Sequence, residues 1–184
     1  MNPLSLPPWF LRFLAIFAIL GLLTSIWALA SPLMSVPDEP AHTVKAGAVV
    51  RGQLRGEPGA NQGDRAQVLV PAFVGTVDGL QTCFAWNPAV SAGCSPTLSD
   101  DVSELKAYTS AGNYNPMYYA VAGLPSLFLT GAKAIYAMRI VGGLLSVAFL
   151  AVALTALASL QRWKLPLFVG SIAVTPWFCS CPEE

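Results

Sequence analysis

The pattern of apolar and polar positions sorts the chain into long uncharged runs separated by one mixed stretch. Residues 13–36 carry no charge and are dominated by Leu, Ile, Ala and Phe. About 20 apolar residues at 1.5 Å rise cover a hydrocarbon core of roughly 30 Å, so this run predicts a membrane-spanning helix. Trp9 and Trp27 fall near its two interfaces, and Arg12 assigns the front end to the cytoplasm and the residues after 36 to the outer side. A competing reading is a signal peptide cleaved near Ala28-Leu29-Ala30; it leaves the downstream residues on the same side. A second apolar stretch, 115–131, is interrupted by Pro125 and offers only about 15 good positions, too few to span, so it is expected to lie at the outer interface. Residues 140–160 are uncharged, follow Arg139 and precede Arg162 and Lys164, which predicts a second span running from outside to inside. Residues 165–178 read as a third, returning outward.

Pro37 disfavours helix at Val36, and Pro40 suits the first position of a new helix running to about residue 54, with Asp38 or Glu39 as its cap. On that helix Lys45, Arg51 and Arg55 could meet phosphate while Val44, Ala48, Val49 and Leu54 face lipid or protein, the pattern of a helix lying on the membrane. Residues 52–63 are Gly-rich and read as an exposed loop. Residues 67–77 are strand-like but contain Pro71, which marks an edge strand with no nameable partner. Ser99, Asp100, Asp101 and Glu104 suit the first turn of a short helix. The expected fold is mainly α: a multi-pass helical membrane protein with about three transmembrane helices and a long extracytoplasmic loop carrying juxtamembrane helices. Its parts are an N-terminal helix at 1–36, the loop at 37–138, and two helices at 139–184. The last run gives way to Cys179-Ser180-Cys181-Pro182-Glu183-Glu184, the ending expected of a truncated chain.

Composition agrees with the membrane reading: 54% of the 184 residues are hydrophobic and only 11% charged. Ten basic and ten acidic residues cancel, which argues against nucleic acid as a partner. Of four cysteines, Cys83 and Cys94 bracket a short segment on the side assigned as outer, where disulfides persist, so a bridge between them is expected; two free buried thiols are the alternative if the topology is inverted. Neither cysteine pair has the spacing of a zinc site with histidines.

The candidate chemistry sits at Pro37-Asp38-Glu39-Pro40-Ala41-His42. Adjacent carboxylates with an imidazole one helical turn later can take a proton from a hydroxyl, and their oxygens would favour magnesium or manganese over softer metals. His42, Lys45 and Arg139 could stabilise a leaving phosphate. Beside this stands a plainer reading: Asp38 and Glu39 cap a helix, His42 bonds an adjacent acid, and Arg139 reaches for headgroups.

These pieces, together with Tyr114-Asn115-Pro116-Met117-Tyr118-Tyr119 and Arg139, resemble the bacterial membrane family called domain of unknown function 2142. That family is similar to GT-C glycosyltransferases, which take sugars from polyprenyl-phosphate carriers at the outer membrane face. The resemblance implies a GT-C-like N-terminal portion of a lipid-linked-sugar transferase in the cell membrane. It implies Asp38 as base with Glu39 assisting, either as catalytic groups or as metal ligands. It also implies Pro116, Tyr118 and Tyr119 on a juxtamembrane helix closing over the carrier. A different class, a non-catalytic membrane subunit whose outer loop binds a partner, is carried alongside.

Overall fold

The computed structural model describes residues 6–58 and 65–159. The segment read as a third membrane helix, together with Arg162, Lys164, Cys179 and Cys181, lies outside the described residues, as does part of the Gly-rich loop. Two helices dominate: α1, Pro8–Ala30, and α5, Gly131–Ser159. At 1.5 Å per residue they are about 35 Å and about 44 Å long, enough to cross a bilayer. Many of their apolar side chains are exposed among the described residues, Leu14, Ile19, Leu22, Leu23, Phe149 and Leu150 among them. A helix apolar all round and uncovered suits lipid as its solvent.

The chain divides into two compact units. One comprises residues 1–23 and 146–184, the other residues 24–145. In the first, the described residues are mainly the N-terminal part of α1 and the C-terminal part of α5, with Phe10, Phe13 and Phe17 stacked in a row along α1. The second unit contains the core and the candidate site.

The core of the second unit is built around α2, Glu39–Val49, and a two-stranded antiparallel sheet of β1, Ala66–Pro71, and β2, Glu104–Thr109. The register runs from Ala66 opposite Thr109 to Pro71 opposite Glu104. Pro71 closes β1, where its missing N–H costs no internal ladder bond, and Ala72 and Phe73 continue by donating to Ser103 O and Asp101 O. Alternation then sends Val68, Val70 and Ala107 inward against Val44, Ala48 and Val49 of α2, and the short helix α3, Ala72–Gly75, adds Phe73 and Val74. The strand reading of 67–77 therefore holds for its first half, and its partner is β2.

Three expectations are corrected. The acidic turn at Ser99 does not open a helix. Ser99 Oγ accepts from Asp101 N and Asp101 Oδ1 from Ser103 N, a turn that delivers the chain into β2, where pairing with β1 outweighs local capping chemistry. Hydrogen bonds from the backbone N–H and then the side chain of Ser103 hold the Asp101 carboxyl below its usual range. Second, α2 does not lie on a membrane surface but is the central core element, with its residues from Val44 to Val49 all buried, and it stops at Val49 instead of near 54. Third, α5 starts at Gly131, so Arg139 lies about two turns inside the helix rather than at its head.

Stretch 115–131 forms two short helical pieces: α4, Pro116–Ala122, capped by Asn115 Oδ1 accepting from Met117 N, followed by a 3-10 turn at Leu124–Leu127. Met117, Val121, Leu124 and Phe128 are exposed along it. The α2–α4 crossing is tight, since a Cβ at Gly123 would overlap the Ala46 carbonyl. Arg51 ties the two together through Gly47 O, Ser126 Oγ and Ser126 O. The Cys83–Cys94 disulfide is formed, at an S–S distance of 2.06 Å.

Candidate functional site

The site begins with how the chain leaves α1. After Ala30 it turns sharply, and Met34 takes a left-handed backbone conformation at φ 59°. A non-glycine residue there is strained, and the strain is offset by complete burial of the Met34 side chain. Val36 O and Asp38 O then accept from Glu39 N and His42 N, which starts α2 in the new direction. Asp38 occupies the cap position, but its side chain makes no capping bond. It is left for His42.

Two linked polar groups result. In the first, Asp38 Oδ2 lies 3.3 Å from His42 Nε2, and His42 Nδ1 lies 2.7 Å from the Tyr119 hydroxyl. With Asp38 ionised and His42 neutral, Nε2–H must donate to the carboxylate, which leaves Nδ1 to accept from the phenol. The carboxylate thus selects the tautomer. The His42 ring also stacks on Tyr119 with planes 8° apart and leans on Tyr114, while Tyr118 meets Tyr119 edge to face. Burial, followed by the neighbouring Tyr118, Tyr114 and Asp38, pushes the Tyr119 phenol up to about 12; burial also raises that of Tyr118.

In the second group, Arg139 of α5 holds Glu39. Its Nε and Nη2 approach Glu39 Oε1 at 2.7 Å and 2.6 Å, and both side chains are only 16% exposed. Nη1 donates to Ala28 O and Ser31 O, and Nη2 also donates to Pro32 O. All five guanidinium N–H groups are therefore directed at protein acceptors. The carbonyls are those ending α1, where a cation is favoured by the helix dipole. The Tyr136 ring lies 5.7 Å from the guanidinium carbon. Glu39 Oε2, by contrast, is buried and has no hydrogen-bond partner among the described residues.

Both groups line one pocket of about 510 Å³, within the range of small-ligand sites. Its walls come from the last turns of α1 (Thr24, Trp27, Ala28, Ser31), the first half of α2 (Glu39, His42, Thr43, Ala46), α4 (Tyr118, Tyr119, Ala122) and the first half of α5 (Ile135, Met138, Arg139, Gly143). Of the residues singled out from sequence, Glu39, His42, Tyr118, Tyr119 and Arg139 line it. Asp38 reaches it through His42, its own side chain being 68% exposed.

Lys45 is not brought there. It is fully buried in the core, with Nζ donating to Leu54 O at 2.8 Å and Gly112 O at 2.6 Å. Desolvation, then the charge of Arg55, lowers its pKa. Asp38 and Glu39 are joined by no third His, Cys, Asp or Glu in ligating position among the described residues, and one Glu39 oxygen is committed to a cation. This donor set matches a magnesium ion only if water and substrate oxygens fill most of its shell.

Sequence reasoning missed the Glu39–Arg139 pair, the Met34 turn and the three carbonyls of the α1 end. A signal for the pair was present: an arginine inside an apolar helix needs a counter-charge, and the acids after α1 are the nearest candidates by topology.

The family model described as "Predicted membrane protein (DUF2142)" matches residues 20–180. No curated protein and no solved structure matches the chain.

Proposed function

The chain belongs to the DUF2142 family of predicted membrane proteins, and from that premise we propose that it is a glycosyltransferase-like protein of the GT-C kind. In this reading it uses a polyprenyl-phosphate-linked sugar at the outer face of the cell membrane. The observation that carries the proposal is the pocket itself. It sets a carboxylate, an imidazole and two phenols beside the apolar side chains of Trp27, Ile135 and Met138, at the ends of two helices long and apolar enough to span a bilayer. An amphiphile with a polar head and an isoprenoid tail suits that division.

Asp38 takes the proton from an acceptor hydroxyl, whose oxygen attacks the anomeric carbon. The bond from that carbon to the carrier phosphate oxygen breaks, and the polyprenyl phosphate leaves. His42 holds Asp38 in place through Nε2–H and is held in turn by Tyr119. A magnesium or manganese ion on Asp38, when bound, would supply positive charge to the leaving phosphate. The topology in this reading places residues 37–138 outside, with three crossings in all. The exposed residues of α4 and the following turn, Met117, Val121, Leu124 and Phe128, rest in the outer interface.

The test is loss of sugar from a polyprenyl-phosphate-linked hexose in liposomes carrying the chain. Asp38→Asn should lower turnover by about 10²-fold or more, the scale of a lost general base. Undiminished turnover in that variant removes the assignment.

A second reading, a non-catalytic membrane subunit, is favoured by one observation: Arg139 has every donor engaged within the chain, as a structural staple would. Here Asp38→Asn and His42→Ala would alter partner capture, and no turnover would exist to lose.

A further inference from the structure

We infer that the pocket takes the uncharged, hydroxyl-bearing head of an amphiphile, with Glu39 Oε2 accepting a hydrogen bond from a ligand hydroxyl, and that Arg139 positions Glu39 instead of binding phosphate. The inference rests on the proposed reading of the pocket as an amphiphile site, and it names what that site recognises.

Three observations carry it. First, Arg139 cannot take a phosphate as the structure stands. Its five N–H groups already meet Glu39 Oε1, Ala28 O, Ser31 O and Pro32 O, and releasing any of them strands a carbonyl or the buried carboxylate. Second, among the described residues no other lysine or arginine lines the pocket. Lys45 is turned away into the core, and His42 is engaged at both nitrogens by Asp38 and Tyr119. An incoming phosphate would thus meet the Glu39 carboxylate with no uncommitted cation among the described residues. Third, Glu39 Oε2 is an acceptor without a donor, buried in a pocket wall. A carboxylate oxygen so held accepts strongly from a neutral O–H and repels an anion. Trp27, 75% exposed at the pocket edge, adds an aromatic face of the kind that covers the C–H face of a sugar ring. The carrier phosphate then stays outside the pocket, toward the headgroups.

The experiment uses the full chain in phosphatidylcholine nanodiscs, with equilibrium binding of radiolabelled n-decyl β-D-glucoside and of n-decyl phosphate, which share a tail and differ in the head. The glucoside should bind saturably above its partition into empty discs, and the phosphate should not. Glu39→Gln keeps a carbonyl facing Arg139 but replaces the open acceptor with an N–H donor, so it should weaken glucoside binding roughly tenfold or more. Where that variant unfolds, the wild-type chain still decides the matter with the monodeoxy decyl glucosides: one position should lose roughly tenfold and the others little. Saturable phosphate binding tighter than the glucoside overturns the inference, as does equal binding of every deoxy analogue or binding of neither probe. Glucoside binding that depends on Glu39 in a chain showing no sugar transfer retains this inference and removes the transferase reading. Transfer that is indifferent to Glu39→Gln, with unchanged glucoside affinity, does the reverse.

Discussion

Replacing Arg139 by Met tests whether the Glu39–Arg139 pair is the joint that holds α1, α2 and α5 together. The substitution retains most of the side-chain length and removes every donor. Glu39 would then be a largely buried carboxylate with neither oxygen paired, since Oε2 has no partner already. The carbonyls of Ala28, Ser31 and Pro32 would lose their donor as well. Stranding one member of a buried pair costs about 3–5 kcal/mol; with both side chains 16% exposed, some water reaches them and about 3 kcal/mol is the better figure. Glu39→Gln leaves the Arg139 charge without its counter-ion but keeps a carbonyl facing it and the Arg139–carbonyl bonds intact, so it should cost less, about 1–2 kcal/mol. The double variant removes both charges and should therefore be less damaged than the sum of the singles by about 2 kcal/mol. Reversible denaturant unfolding of the four proteins in mixed micelles measures this cycle. Strict additivity within about 0.5 kcal/mol, or an Arg139→Met protein as stable as the parent, would refute the reasoning.

Other consequences follow from single features. The Tyr119 phenol, at about 12 against an unfolded value near 10.0, is protonated more tightly in the folded chain. Its contribution is therefore complete below pH 10 and lost as pH rises from about 10 to about 12. Tyr119→Phe should flatten stability across that window, and an unchanged alkaline limb would count against the cause given. Lys45→Ala leaves a cavity and two carbonyls without their donor, for about 3 kcal/mol or more, whereas Lys45→Met keeps the stem and should cost about 1–3 kcal/mol by denaturant unfolding. Because burial lowers the Lys45 pKa, its charge penalises the folded state at neutral pH, and that penalty should fade as pH climbs toward 10.5; stability that fell there in the wild type but not in Lys45→Met would contradict the sign. Reducing the Cys83–Cys94 bridge, 11 residues apart, should cost about 3 kcal/mol by the chain-entropy estimate, read as a lower unfolding midpoint in reductant. Gly123→Ala should destabilise by about 1–3 kcal/mol through the clash with the Ala46 carbonyl, measured the same way.

Much of the fold is local in origin, and to that extent the sequence by itself determined it. An uncharged apolar run long enough to cross a bilayer has few alternatives to a helix, so α1 and α5 were legible, as was the helix opened by Pro40 after two acids. The Asp38–His42 contact follows from an i, i+4 spacing, and the Asn115-Pro116 pair announces α4. What required tertiary structure depended on partners far along the chain. Nothing near Glu104 reveals that 104–109 will pair with 66–71, because strand pairing is a non-local choice that here overrides a fair helix cap. Nothing near Lys45 reveals that the basic face of α2 turns inward, where carbonyls at Leu54 and Gly112 replace the solvent. The pair Asp38 and Glu39 was visible as chemistry, yet the two acids have opposite fates: Asp38 stays exposed on His42, and Glu39 is buried on an arginine 100 positions later. That division is decided by the turn at Met34 and the packing of α5 against the end of α1, since only a three-dimensional neighbourhood can say which carboxylate loses its water.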